Sequence, residues 1–256
     1  MDSRGDHSLT DRFRGRVPWR SVPRSWSSKS LSTHSAWCFA LMCAMALISV
    51  PAAAQDEPRA FAGALFGVSA LSADAQAVTT GADAAVSLYD PKNGLALNVF
   101  GGFHVAQYFA IQVNWMWNRN DLTLVSSYTS PQAGGFYEQT RGSSQHALVF
   151  DGLIYFRRLD SAIRPYLGTG LSVVRFSSEE DGSRAQGLTP PGGVIGSTYI
   201  GLRSHVGIDF RLSRHIAFRY SFSETISSNP IGPSLTPPGQ RPLMNFQNLF
   251  GFVSRF

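Results

Sequence analysis

Cysteine, lysine and charge are scarce in this chain, and their distribution excludes several classes of protein. Both cysteines, Cys38 and Cys43, precede residue 55, so the rest of the chain can form neither a disulfide framework nor a cysteine-ligated zinc site. Charged residues make up 15% of the sequence, and lysine occurs only twice. Seven basic residues fall within residues 1–54, which leaves a net charge of +1 over residues 55–256. A balance so close to neutrality lacks the electrostatic footprint of a nucleic-acid-binding protein.

An apolar segment near the N-terminus carries the features of a secretory signal peptide. It runs from Ala36 to Val50, follows a stretch rich in arginine, and precedes three alanines that end at Ala54. A basic stretch, an apolar run and small residues in this order are typical of a cleaved leader. The run is short for a spanning helix, which needs about 20 residues. We therefore expect a signal peptide over residues 1–54 with cleavage after Ala54, and a mature domain over residues 55–256; the alternative is an uncleaved anchor.

Long apolar runs are absent after the leader, and strict two-residue alternation takes their place. From Phe109 to Asn118, one face carries Phe, Ile, Val, Trp and Trp, and the other carries Ala, Gln, Asn, Met and Asn. A helix would mix these two sets around its circumference, whereas a strand separates them. The alternation recurs from Tyr199 to Arg211 and from Ile216 to Ser223. The pattern predicts β-strands.

Eight such runs are present, each about 10–15 residues long, which suits tilted strands that span a membrane. The eight runs are residues 59–71, 94–104, 108–118, 145–157, 164–176, 198–212, 216–225 and 243–256. Short and long connections alternate between them, as do the turns and loops at the two rims of an outer-membrane barrel. The sequence therefore predicts an all-β fold: an antiparallel up-and-down transmembrane β-barrel of about eight strands that follows an N-terminal signal peptide.

Alternation alone leaves two interpretations open. In a soluble barrel or sandwich the apolar face forms the core, whereas in a membrane barrel it contacts lipid. The clearest runs carry no charge on the apolar face, and aromatic residues recur on it near the run ends, which favours the membrane. Outer-membrane lipid is then the partner of this face. The aromatic residues expected to contact lipid are Phe109, Trp115, Trp117, Phe210, Phe218, Phe250 and Phe252.

Charged residues on the opposite face are expected to point into the lumen. They are Asp151, Arg157, Arg203, Asp209, Arg211 and Arg219. Buried charges must be paired or hydrated, and an eight-stranded lumen is just wide enough for side chains to fill it. We therefore predict a structural ionic network that fixes the strand register and plugs the pore. A three-residue turn over residues 213–215 sets Leu212 opposite Ile216 and Asp209 opposite Arg219, which predicts a lumenal ion pair between the last two.

No arrangement of residues points to a catalytic or metal site. His146 and His205 have serines nearby, but no spacing fixes a nucleophile, a base and an orienting acid. The histidines that could ligate a metal lie on different runs; they are His104, His146, His205 and His215. The run from Glu179 to Asp181 is expected to be a solvated loop tip. We predict no enzyme activity and no cofactor.

The last residues carry a family resemblance. Phe250, Phe252 and the terminal Phe256 alternate, and with Gly207–Tyr220 and Pro165–Gly170 they resemble the small eight-stranded outer-membrane β-barrels of the outer-membrane protein A and outer-membrane protein X type. Ser254 departs from this signature, since the family usually has an aromatic or aliphatic residue there. The resemblance implies insertion in the outer membrane of a Gram-negative-type envelope. It also implies that the barrel assembly machinery reads Phe256 as an assembly signal.

The expected function is that of a non-enzymatic integral outer-membrane barrel. Four long extracellular loops would give it an envelope-structural or surface-recognition role above a plugged lumen. The sequence indicates no particular extracellular ligand. The alternatives are a narrow pore, a lipid-modifying outer-membrane enzyme such as some small barrels are, and a soluble periplasmic ligand-binding barrel.

Overall fold

The computed structural model of the protein describes residues 59–72, 77–79, 85–128, 134–239 and 241–256. The predicted leader and its cleavage site after Ala54 lie outside these residues. The described strands are β1 (Ala60–Ser72), β2 (Ala77–Val78), β3 (Ala85–Pro91), β4 (Gly94–Ala106), β5 (Phe109–Tyr128), β6 (Phe136–Tyr155), β7 (Ile163–Gln186), β8 (Ile195–Arg211), β9 (Ile216–Ser227) and β10 (Leu243–Arg255). A single 3₁₀ turn, Gly232–Ser234, lies between β9 and β10. Among the described residues, none belongs to a helix long and apolar enough to cross a membrane.

Eight of the strands form a ring of antiparallel pairs. The order is β1, β4, β5, β6, β7, β8, β9 and β10, and β10 pairs again with β1. The closing register runs from Phe61 opposite Arg255 to Ser72 opposite Met244. The last run predicted from the sequence therefore pairs with the first, as a closed barrel requires. Closure leaves no strand edge in the ring, which satisfies the requirement that backbone groups facing lipid be hydrogen-bonded within the protein.

Three strands are longer than the sequence pattern predicted. β5, β6 and β7 continue well past the level at which the other strands of the ring end, and β3 pairs with the outer part of β5 from Ala85 opposite Tyr128. Much of the segment between residues 118 and 145, expected as an irregular loop, is therefore strand, and the prediction of a long loop there was wrong. Its many Ser, Thr and Gly residues suggested a loop. The alternation nevertheless continues through Leu122 and Leu124, which point inward and are buried.

The burial pattern of the ring is inverted relative to a soluble barrel with a solvated outer face. Ile111 is 57% exposed and Phe252 is 58% exposed, whereas their inward neighbours Ala110 and Val253 are 2% and 1% exposed. The core therefore lies in the lumen, and the outer face is apolar. Ile208 and Phe218 are outward but half-buried; Phe218 packs against the rings of its cross-strand neighbours.

All seven aromatic residues expected to contact lipid lie on the outward face. Trp115, Phe250 and Phe252 are exposed, and the others are half-buried among neighbouring side chains. Phe256 follows β10 at the rim, where its backbone exchanges hydrogen bonds with Ala60 on β1. The terminal residue thus helps to close the ring.

The lumen is layered along the barrel axis. Its end near the short turns holds an apolar cluster that includes Phe61, Phe100 and Leu153. Its end near the long connections holds a second apolar cluster that includes Tyr89 and Leu122. Buried amides such as Asn114 and Asn118, together with the charged residues Asp151 and Arg203, lie between the two clusters, whereas Arg219 is packed against rings of the first cluster. The sequence had suggested a mainly polar lumen, and the apolar layers are a correction to that expectation.

A lipid-facing outer surface predicts a cost of added charge that depends on depth. Val113 lies midway along the outward face of β5, whereas Leu95 is paired with Arg119 at the far boundary of this face. We expect Val113→Arg to lower the free energy of unfolding in lipid vesicles by about 2–4 kcal/mol and Leu95→Arg by about 0–1 kcal/mol. Denaturant titration of the vesicle-inserted protein measures both values. Equal costs at the two positions would contradict a membrane-facing surface.

Candidate functional site

The β8–β9 hairpin sets the register of the lumenal charges. Its turn follows the three-residue geometry predicted from the sequence: the amide of Leu212 donates to the carbonyl oxygen of Ile216 over 2.9 Å. The amide of Ile216 also donates to the hydroxyl of Ser213 over 3.1 Å. Asp209 is consequently the direct partner of Arg219, and the predicted register is confirmed.

Asp209 and Arg219 form a bidentate ion pair inside the barrel. The Nε and Nη2 atoms of Arg219 lie 2.6 and 2.9 Å from the two carboxylate oxygens of Asp209. Arg219 also donates to Gln112 Oε1 and to the Tyr155 hydroxyl, each over 2.9 Å. Both charged residues are buried. Two parallel charge-assisted bonds fix the relative position of the side chains as well as stabilising them.

A second ion pair joins Asp151 on β6 to Arg203 on β8, although β7 lies between these strands. Arg203 Nη1 is 2.6 Å from Asp151 Oδ2, and His205 Nε2 is 3.3 Å from the same oxygen. The pair crosses β7 at Gly170, the register partner of both residues. A Cβ atom at Gly170 would lie 2.3 Å from Asp151 Oδ1, so only glycine leaves room for the contact.

Side-chain amides connect the two ion pairs. Asn114 donates to Asp151 over 2.9 Å, and Gln112 donates to Asn114 over 2.6 Å while it accepts from Arg219. A continuous series of hydrogen bonds therefore runs through the lumen from Asp209 to Arg203. The Asp209–Arg219 pair lies within the first apolar cluster, where the Arg219 guanidinium carbon is 4.8 Å from the centroid of the Tyr166 ring and 4.9 Å from that of Phe100. The Asp151–Arg203 pair and Asn114 belong to the polar layer that separates this cluster from the second one.

Two of the six charges predicted to belong to this network lie outside it. Arg157 follows the end of β6, and Arg211 ends β8; both are exposed at the rim with the short turns. Their place in the network was wrongly predicted, because alternation gives the side of a strand but not where the strand leaves the lumen. A charge at the rim remains hydrated and avoids the cost of burial.

Arg164 is a buried lumenal cation that was not among the charges predicted to point inward. Its guanidinium carbon lies 3.8 Å from the centroid of the Tyr155 ring, a cation–π contact. Its register partner is Asp209, the carboxylate already bound by Arg219. The sequence does contain a signal for this position. In the predicted run that begins at residue 164, the two-residue alternation places Arg164 on the same inward face as Tyr166.

A connection folded into the barrel covers the lumen at the end opposite the short turns. Ile231 and Leu235, in the β9–β10 connection, are fully buried in the second apolar cluster. Ser87 Oγ donates to the Pro237 carbonyl oxygen over 2.6 Å. The Ser126 hydroxyl donates to the carbonyl oxygen of Thr236. The connection is therefore tied to β3 and to the outer part of β5.

Arg141 fixes the β7–β8 connection to the same end of the barrel. It is fully buried, and it donates to the carbonyl oxygens of Pro191 and Gly193 over 2.9 and 2.5 Å. Its Nε atom donates to the Ser178 hydroxyl over 3.1 Å. Burial lowers the pKa of the Arg141 guanidinium, whereas Glu180 and the neighbouring Asp181 raise it. Arg141 could not be recognised from the sequence pattern because it lies in a segment that was predicted to be a loop.

The histidines do not gather into a site. His104 and His205 are buried in the lumen, whereas His146 and His215 are exposed. No group of three or more potential metal-ligating side chains occurs in the part of the chain that the structure describes.

The closed ring, its outward apolar face and its filled lumen define a transmembrane β-barrel. Residues 40–248 match the model of the Outer membrane protein beta-barrel domain family. This match covers well over half of the chain, so the protein belongs to that family and resides in the outer membrane. In such barrels the short turns face the periplasm and the longer connections face the exterior. The covered end of the lumen is therefore the extracellular one.

Solved structures share this fold at low sequence identity. The outer membrane protein OprG from Pseudomonas aeruginosa superposes with a TM-score of 0.50 at 14% identity, over 78% of this chain and 96% of that one. Neisserial surface protein A gives a TM-score of 0.47 at 13% identity, over 77% of this chain and 97% of that one. At this identity the likeness to OprG shows a common fold only. No curated protein sequence matches the chain.

The buried Asp209–Arg219 pair predicts strong energetic coupling. Removing one partner leaves a charge in the lumen without its counter-ion, so we expect Asp209→Ala to lower the free energy of unfolding by about 3–5 kcal/mol. Asp209→Ala combined with Arg219→Ala should cost clearly less than the sum of the two single changes. A double-mutant cycle in lipid vesicles measures the coupling. A negligible coupling energy would show that the pair does not act as a unit.

The contacts of Arg141 predict that this residue holds the β7–β8 connection in place. Arg141→Met keeps the buried volume apolar but removes every donor, so amide hydrogen exchange over residues 188–194 should accelerate roughly tenfold or more. Arg184→Gln changes an exposed arginine near the end of β7 and provides the control. Unchanged exchange in Arg141→Met would mean that other contacts hold the connection.

Proposed function

We propose that this protein is a closed, non-enzymatic barrel whose biological role resides on its surfaces rather than in its lumen. In this proposal the spanning strands anchor a rigid extracellular extension, built by the outer parts of β5, β6 and β7, for an envelope-structural or surface-recognition role. The observation that carries the proposal is the continuous hydrogen-bonded series from Asp209 to Arg203 across a lumen filled by side chains.

The lumen has three successive obstacles to transport along its axis. The apolar cluster near the periplasmic end, the polar layer and the extracellular apolar cluster all consist of buried side chains. The β9–β10 connection adds Ile231 and Leu235 to the outermost obstacle. An eight-stranded barrel has little interior space beyond what side chains fill, which favours a plug over the alternative of a narrow pore.

The extracellular extension offers a surface for recognition. β7 continues to Gln186, and its outer residues from Glu179 onward are exposed, including the acidic segment Glu179–Asp181. Strand pairing with β6 holds these residues in place, from Glu179 opposite Gly142 to Ala185 opposite Tyr137. A paired strand displays its side chains in fewer conformations than a free loop, so binding to it requires less ordering.

The burial of the candidate acid–base groups argues against the lipid-modifying alternative. His205 approaches Asp151 within 3.3 Å, but both side chains are buried in the lumen and Arg203 occupies the same carboxylate. A lipid substrate reaches the outer face, where the exposed His146 has no acidic residue as its register partner on either adjacent strand. A general base needs an orienting partner and access to its substrate.

Conductance across a planar bilayer tests the plugged lumen. The wild-type barrel should show no steady open state, whereas Asp151→Ala combined with Arg203→Ala removes a whole ion pair and should admit intermittent small currents. Heat-modifiable migration on a gel verifies that both proteins are folded. Steady conductance of the wild-type protein would favour the narrow pore. Altered lipid A mass in cells that express it would favour the enzyme.

A further inference from the structure

The outward apolar face ends in a basic residue on three adjacent strands. In the direction away from the short turns, the outward apolar residues of β5 end at Trp117, and the next outward residue is Arg119. On β6 they end at Leu148, and the next outward residue is His146. On β7 they end at Val173, and the next outward residue is Arg175. Arg119, His146 and Arg175 are all exposed and are named here the basic arc.

The register places the members of the basic arc side by side. His146 is the direct partner of Arg175 on β7 and of Trp117 on β5. Arg119 lies two residues beyond Trp117 on the same outward face, opposite Ser144. Arg119 and Arg175 are separated by two strand spacings, about 10 Å, and by two residues along the strands, about 7 Å. Their backbones are therefore about 12 Å apart, and both side chains must extend over His146 to reach one phosphate group.

The basic arc lies at the extracellular boundary of the membrane. Arg119 is ten residues from Phe109, which begins β5 beside a short turn. At about 3.3 Å per residue and a tilt of about 40°, this distance corresponds to about 25 Å along the membrane normal. The apolar band of outer-membrane barrels has the same height, so the arc lies at the level of the lipid headgroups.

The charges of the arc are not neutralised by any residue that the structure describes. Among the described residues, neither Arg119 nor Arg175 takes part in an ion pair. The nearest outward carboxylate along β5, Asp121, is two residues beyond Arg119, which corresponds to about 5 Å farther from the membrane along its normal. A headgroup at the membrane surface therefore meets the arginines before the carboxylates.

The distribution of charge around the barrel is uneven at this level. On the far side of the ring the outward series of β8 ends at Ile200 followed by Thr198, and β9 carries Glu224. A basic belt that served only to hold the barrel at the interface would recur around the ring. Single basic residues also occur elsewhere at this end of the barrel: Lys92 precedes β4, and Arg241 lies beside Ile200 and Ile226. Among the described strands of the ring, only the adjacent β5, β6 and β7 each continue their outward apolar series with a basic residue, which indicates a localised site.

We propose that the basic arc binds the phosphate group of an anionic lipid of the outer leaflet. The arginines donate to the phosphate oxygens, and the acyl chains lie below them against Trp115, Leu148 and Val173, whose outward side chains are 43–49% exposed. Arginine suits this task because its planar fork can donate two hydrogen bonds to one phosphate. The indole ring of Trp115, 5.9 Å from the His146 ring, provides an amphipathic surface at the interface.

Native mass spectrometry of the folded full chain in detergent micelles tests this site. Diphosphoryl lipid A is the probe, and phosphatidylcholine, which carries no net charge, is the comparison lipid. A basic residue near an anionic membrane surface contributes about a fivefold change in affinity, so Arg119→Gln combined with Arg175→Gln should weaken lipid A binding roughly 25-fold. Binding of phosphatidylcholine should stay the same.

A matched control removes two exposed arginines at the other rim. Arg157→Gln combined with Arg211→Gln changes the net charge equally but lies at the periplasmic end, so its lipid A affinity should equal that of the wild type. Three results would overturn the proposal: wild-type affinity in the variant of the basic arc, equal losses in both variants, or equal affinity of the wild type for the two lipids. Folding of each variant is verified by heat-modifiable migration.

Discussion

The hydrogen-bond requirement of the backbone in lipid is the constraint on which this structure depends. No water reaches the bilayer core, so every strand needs a partner on both sides, and the pairing of β10 with β1 supplies the last one. Closure then separates two environments, because alternate side chains must point outward to lipid or inward to the lumen. The apolar exterior and the buried polar layer both follow from this single pairing.

Closure with eight strands also limits the lumen to a space that side chains fill. Within it, charge is tolerated only where a partner is at hand, and the Asp209–Arg219 and Asp151–Arg203 pairs satisfy this condition. Gly170 lets the second pair form across an intervening strand. The guanidinium group of Arg164 is instead stabilised by a cation–π contact with the ring of Tyr155. Filling and pairing together support the plugged lumen that the proposed function requires.

Outside the membrane the strands are exposed to water, and there they are stabilised by pairing with one another and by burial of their inward apolar residues. β5, β6 and β7 continue because they remain paired with one another, while apolar inward residues such as Leu122 and Leu124 gain burial under the β9–β10 connection. Arg141 secures a second connection through backbone carbonyl oxygens. The boundary between the membrane-spanning part and the water-exposed part of these strands lies where the outward apolar residues end. In our proposal, the basic arc binds the lipid headgroups at this boundary.

The sequence by itself determined the features that depend on neighbours along the chain. Alternation identified the eight runs and their outward faces, and the length of the turn after Leu212 fixed Asp209 opposite Arg219. Partners distant in sequence depended on the stagger of the whole ring, so only the tertiary structure showed that Asp151 meets Arg203 and that Arg141 and Arg164 are buried. It also placed Arg157 and Arg211 at the rim, since a strand's alternation is the same inside and beyond the lumen, whereas burial depends on where the neighbouring strands end.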